Sequence, residues 1–268
     1  MGLLHSAKRH SSYSRQRHSS FSPLDLPNLK AWYDAADTAT ITTGTGGVAT
    51  WADKSGNSYN LTQGDTTKRP ATGTRTLNSK NVIDFDGTND ILTASSAANW
   101  AFLNNSGGST AFYVLMQDSA STSQGYADTG GFTSANVDYE LYREPTTTYF
   151  WHRVGNAVGG AGPVENGTNN AISAANHYFY VISDPANGTA ANRSIPHLDG
   201  TALNKNNSRT TTPSSSNPAY PLSIGGRQDD SGYAFNGAFA EIIFVSGIAS
   251  AGNITSTINY LKTKWGLS

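Results

Sequence analysis

From residue 29 onward the apolar positions of this chain recur mostly with the period of two that a half-buried strand requires, and the runs are short. Leu29, Ala31 and Tyr33 alternate with Lys30, Trp32 and Asp34, and both sets carry large rings, which predicts a strand covered on both faces. Val48 to Trp51 predicts a short strand that ends in the turn Asp53-Lys54-Ser55-Gly56-Asn57. Val82 to Phe85 predicts another, turning through Asp86-Gly87-Thr88-Asn89-Asp90 into Ile91 and Leu92. The β-branched and apolar run Thr110 to Met116 predicts a buried central strand. Further strands are expected over Tyr139 to Tyr142, Tyr149 to Val154, Tyr178 to Ile182, Leu222 to Gly225 and Ala238 to Val245. The polar stretch Asn204 to Asn217 predicts a long surface loop. Only the C-terminus has helical spacing: Ile254, Ile258, Leu261 and Trp265 share one face. Ser250 or Asn253 is placed to cap that helix and Gly266 to stop it, with Trp265 closing one edge of the fold.

Composition supports many strands joined by tight turns. Charged residues are only 14% of the 268, and the chain is rich in Gly, Ser, Thr and Asn. The 13 Tyr, 10 Phe and 5 Trp supply a large core, so the body over residues 23–268 reads as one domain. Absence of cysteine excludes disulfides, thiolate metal sites and a cysteine nucleophile. No apolar run approaches the length of a membrane span, and Gly2-Leu3-Leu4 is too short for a secretory h-region. Met1 to Ser6 does fit the short myristoylation pattern.

Charge changes the picture at one end. Residues 1–22 hold Lys8, Arg9, Arg15 and Arg17, three histidines and no acid, whereas the remainder holds 14 basic against 19 acidic side chains. An aperiodic segment of this kind predicts an extended basic arm that would be disordered alone and that docks on an acidic protein or nucleic-acid surface. Four full charges are few for autonomous nucleic-acid binding, which favours a protein partner.

The segments LKAWYDAAD (29–37), WADKSGNSYNLTQ (51–63), VIDFDGTNDILT (82–93), PLSIGGR (221–227) and FNGAFAEIIFVSGIAS (235–250), with the closing helix, occur in one order. In that order they resemble the concanavalin A-like lectin/glucanase superfamily, particularly the laminin-G-like domains of phage and bacterial surface proteins. The resemblance covers residues 28–268. It implies an all-β, two-sheet antiparallel jelly-roll sandwich with a C-terminal α-helix behind an extended N-terminal arm. It also implies a concave face that many relatives use for sugars, without fixing the function.

Glucanases of the superfamily share a strand motif E-x-D-x-x-E, which this chain lacks. Asp138, Glu140 and Glu144 come nearest: Asp138 and Glu140 would share a strand face about 6.6 Å apart, but Pro145 ends the run and exposed acids on a strand edge are the expectation. His152, His177 and His197 are expected as surface or sheet residues, no G-x-S-x-G elbow occurs, and Gly159-Gly160 and Gly225-Gly226 read as turns, not a phosphate loop. A non-enzymatic chain without obligatory cofactor is therefore expected. Some relatives bind calcium, for which Asp53, Asn57, Asp84 and Asp86 are the candidate ligands, against a plain role in Asx-turns. Trp100, Tyr126, Tyr142 and Tyr233 are the candidate sugar platforms, while Trp51 and Trp151 are assigned to the core. The resulting expectation is a virion structural protein, a phage capsid decoration or cement protein. It would be a homo-oligomer on the particle surface, anchored to capsid or tail proteins through residues 1–22. The alternative is a carbohydrate-binding module of a tail fibre or cell-surface protein, recognising host glycans.

Overall fold

The computed structural model describes residues 20–130, 138–144, 149–154, 164–168, 173–203, 216–228 and 231–268. Lys8, Arg9, Arg15 and Arg17, Gly159-Gly160 and most of the loop expected at Asn204 to Asn217 lie outside them. The strands in chain order are β1 (Leu29–Asp34), β2 (Ile41–Gly44), β3 (Gly47–Trp51), β4 (Leu61–Thr62), β5 (Ala71–Leu77) and β6 (Lys80–Asp86). There follow β7 (Leu92–Ala94), β8 (Ser109–Gln117), β9 (Gln124–Asp128), β10 (Tyr139–Glu144), β11 (Tyr149–Val154) and β12 (Val164–Thr168). The last are β13 (Asn176–Ser183), β14 (Ser194–Leu198), β15 (Thr201–Ala202), β16 (Ser223–Ile224) and β17 (Asn236–Ser246), before helix α1 (Ala251–Trp265).

Among the described residues these strands form two antiparallel sheets, a jelly-roll-like sandwich of the all-β class. The first runs β15-β14-β13-β8-β17-β6-β5, with β1 also paired to β17, and the second runs β12-β11-β10-β9-β16-β7-β4-β3-β2. The rings of both inner faces meet between the sheets. Tyr33, Phe85, Tyr113, Phe179 and Phe244 of the first sheet pack with Trp51, Leu61, Tyr126, Leu141 and Phe150 of the second. The first sheet is covered on its other side as well. There Trp32, Phe112, Val114, Ala238, Ala240 and Ile243 form a separate apolar layer under Leu261 and Trp265 of α1. The double alternation of β1 has this origin: Ala31 and Tyr33 enter one layer and Trp32 the other.

Helix α1 is capped as its sequence suggests. The Ser250 side chain accepts from the Asn253 amide, and Gly266 ends the helix in the left-handed conformation (φ 67°). Beneath it the buried Glu241 of β17 accepts from the indoles of Trp32 (2.7 Å) and Trp265 (2.6 Å), from the Tyr260 hydroxyl (2.9 Å) and from Lys264 Nζ (2.8 Å). Four donors on one carboxylate tie β1, β17 and α1 together. No helix among the described residues is long and apolar enough to cross a membrane.

Candidate functional site

The outer face of the second sheet is where chemistry collects. Alternation along β10 sends Tyr139 and Leu141 into the inter-sheet core and leaves Glu140, Tyr142 and Glu144 on the other face. Register then builds two rungs. Glu140 stands opposite Asp128 of β9 and Arg153 of β11, and Tyr142 stands opposite Trp151 of β11. A register shift between Leu141 and Tyr142 lets Tyr126 and Ala127 both turn inward, so that Asp128 faces out.

Two further segments fold over these rungs. Arg227, just past β16, lays its guanidinium 3.7 Å from the Tyr233 ring centre and 4.5 Å from that of Tyr142. Its Nη2 lies 3.4 Å from Glu140 Oε2, and Arg153 Nη1 lies 3.3 Å from the same oxygen. Tyr142 stacks on Trp151 (6.2 Å, 12°) and meets Tyr233 edge-on (5.6 Å, 85°). The Tyr233 hydroxyl donates to Glu144 Oε1 at 3.1 Å. Two glycines make the close approach feasible. A Cβ at Gly125 would stand 2.9 Å from the Tyr233 carbonyl oxygen, and one at Gly130 would stand 2.3 Å from Asp138 Cβ.

The cluster is deeply set. Asp128 and Glu140 are each 1% exposed, Asp138 3% and Arg227 5%, while Trp151, Arg153, Tyr233 and Glu144 form a half-buried rim. Burial pushes the Asp128 carboxyl well above the usual carboxylate range; the Glu140 charge adds to this and Arg227 partly opposes it. The inner face of the same strands is different in character. His152 joins the two sheets, its Nδ1 2.6 Å from Ser194 Oγ of β14, and burial lowers its pKa to about 3.

Two of the four expected sugar platforms, Tyr142 and Tyr233, are brought together here. The other two are corrected. Trp100 is enclosed among Tyr59, Phe102 and Phe244, and Tyr126 is enclosed with its hydroxyl donating to Gln117 Oε1 (2.7 Å), so neither offers a ring face. Trp151, assigned to the core from sequence, instead belongs to the outer rim. Asp138 and Glu140 are not exposed acids on an edge, because β10 is interior to its sheet and both are buried. Asp128, Arg153 and Arg227 escaped the sequence reading because the signal joining them is cross-strand register, not spacing.

The four candidate calcium ligands are not gathered. Asp53 accepts from the amides of Trp32, Ser55 and Tyr59 and from the Ser55 hydroxyl, and Asn57 Nδ2 donates to the carbonyls of Leu29 and Lys30. Asp84 pairs with Arg75 (2.9 Å), and Asp86 Oδ1 accepts from the Thr88 and Asn89 amides. Among the described residues no three His, Asp or Glu side chains are grouped so as to hold a metal ion. The calcium expectation is thus replaced by the turn role.

No protein-family model matches the chain, and no curated protein sequence matches it. Solved structures do. Trypanosoma rangeli sialidase in complex with sialic acid is 12% identical with a TM-score of 0.57, over 91% of this chain and 34% of that one. The chain thus spans about a third of the sialidase's length, and the likeness shows the fold. The Ruminococcus gnavus IT-sialidase CBM40 bound to α2,6-sialyllactose is 13% identical over 59% of this chain and 87% of its own, with a TM-score of 0.46. The K499G mutant of NanB sialidase from Streptococcus pneumoniae is 11% identical over 65% and 27%, with a TM-score of 0.47. Both are too distant to carry an argument. The expectation of a non-enzymatic chain is overturned by the first of these: the fold occurs in sialidases, so neither the sandwich nor the missing glucanase string removes catalysis from its range.

Proposed function

We propose that the chain binds saccharides on the outer face of its second sheet, around β9, β10, β11 and β16. The observation that carries this reading is the convergence, by register, of planar polar groups and rings on one patch: Asp128, Glu140 and Arg153 in one rung, Tyr142 and Trp151 in the next, with Arg227 and Tyr233 laid over them. A sugar offers hydroxyls to fixed donors and acceptors and C–H faces to rings, and a patch with a few oriented polar groups among aromatics suits both. The half-buried rim of Trp151, Arg153, Tyr233 and Glu144 supplies the groups an incoming ring meets first. Shared fold with a sialidase solved with sialic acid makes saccharides the ligand class to test first.

The test is a printed glycan array probed with the full chain and with Trp151→Ala and Tyr233→Ala. Stacking of a sugar face on one rim ring is worth about 1–2 kcal/mol, so each variant should lose on the order of tenfold in signal. Circular dichroism melts should stay close to that of the unaltered chain. Absence of any glycan signal from the unaltered chain sinks the proposal.

A further inference from the structure

One carboxylate of the outer-face cluster differs from its neighbours. Asp128 is 1% exposed, and its Oδ2 has no hydrogen-bond partner among the described residues. Its Oδ1 receives only a long bond from the Gly130 amide, 3.3 Å. Buried polar oxygens are almost always paired, so an orphan on a face rich in polar groups marks the place of a missing donor or acceptor. The register fixes where that oxygen is: Asp128 stands between Glu140 on one side and Ser223 on the other, with the inward-facing Ala127 before it. The Ser223 hydroxyl is turned away from the carboxyl, donating to the Gly226 carbonyl at 2.8 Å and lying 3.3 Å from the Asp128 carbonyl.

We propose that Asp128 is the residue of this face that selects the ligand: as a neutral carboxylic acid it shares a hydrogen bond with a hydroxyl of an uncharged saccharide ring and disfavours an acidic sugar. This rests on the saccharide-binding reading above and names the class of sugar.

The chemistry follows from what surrounds the group. Glu140 and Asp138 place two more carboxyl groups beside it, and Glu144 adds a fourth near Tyr233. Against them the described outer face sets Arg153 and Arg227, both directed at Glu140 Oε2. A second negative charge beside Glu140 is strongly disfavoured in a water-poor site, and burial together with that charge keeps the Asp128 proton on. A neutral acid has one O–H to donate and lone pairs to accept with, the complement of a sugar hydroxyl, which also does both. A ligand carboxylate brought to the same place would meet Glu140 and Asp138 as like charges.

The experiment uses an array carrying neutral glycans and their sialylated counterparts, probed with the full chain, Asp128→Asn and Asp128→Ala from about pH 6 to about pH 10. Asn is the isostere of the neutral acid and keeps both a donor and an acceptor. Neutral glycans should be bound about tenfold or more better than sialylated ones, with Asp128→Asn within about threefold of the unaltered chain and Asp128→Ala about tenfold weaker. Raising the pH should weaken the unaltered chain and leave Asp128→Asn unchanged. Preference for sialylated glycans, equal binding by Asp128→Ala, or a matching pH decline in Asp128→Asn overturns the proposal while leaving saccharide binding intact. No glycan bound by the unaltered chain overturns both. Should Asp128→Ala fail to fold by circular dichroism, the pH profile of Asp128→Asn decides alone.

Discussion

Asp90 and His152 are both buried ionisable groups, and they pull the pH dependence of stability in opposite directions. Asp90 follows the turn after β6 and accepts from the Asp86 amide at 3.0 Å, and burial, reinforced by Asp86 and Asp84, lifts its pKa from 3.8 to about 6. A folded-state pKa above the unfolded one gives stability that is whole below pH 3.8 and is lost as pH rises through about 6. Asp90→Asn keeps the acceptor and removes the charge. It should raise stability at neutral pH by roughly 1–3 kcal/mol, an advantage that vanishes near pH 3.8; urea titrations at the two pH values check this. His152 behaves the other way, since its folded pKa of about 3 lies below the unfolded 6.5. Its contribution is whole above pH 6.5 and drains as the pH falls toward 3, at about 1.4 kcal/mol per unit. His152→Gln should therefore flatten the acid limb of the stability curve between those values. A limb as steep as before would show that another group drives it.

At the scale of elements, α1 is held by one indole as much as by its apolar stripe. Trp265 is fully buried against the first sheet and donates to Glu241, which also gathers Trp32, Tyr260 and Lys264. Trp265→Ala loses the packing and should cost about 3–5 kcal/mol. Trp265→Phe keeps most of the ring, gives up the charged hydrogen bond and should cost about 1–3 kcal/mol; denaturant midpoints of the two variants separate packing from the bond. The helix was legible in the sequence because Ile254, Ile258, Leu261 and Trp265 repeat at helical spacing between Ser250 and Gly266. So were β1, β8 and β17, whose apolar residues are covered on both faces. Strands β5 and β9 were not. ATGTRTL is polar and lies at a sheet edge, and QGYAD carries buried Gln124 and Asp128, so tertiary pairing and not pattern makes them strands. The site suffered most from this. Tyr142, Tyr233 and Glu140 drew notice as residue types, but Asp128 joins them only once β9 is seen beside β10.

Across the whole molecule, the two sheets divide the work. The first is sealed on both sides, by the second sheet and by α1, and holds the fully buried Glu241 among its donors. The second gives its inner face to the common core and its outer face to acids, arginines and rings. Stability and recognition should then respond to different substitutions. Phe244→Ala opens a cavity among Trp100 and Tyr113 in the shared core and should cost about 3–5 kcal/mol, a fall in melting temperature on the order of 10 °C in a chain of this size. Below that transition the outer face keeps its register, so glycan signal at low temperature should match the unaltered chain. Trp151→Ala removes a half-buried ring that stacks on Tyr142 and should do the reverse, shifting the melt by a few degrees at most while weakening the glycan signal. Thermal melts and array signals measured on the same two preparations give four numbers. If both variants lose stability and binding in proportion, the outer face is part of one cooperative core and the division of labour fails. If they separate, the sandwich is a scaffold whose second sheet can be altered at the surface without touching what folds it.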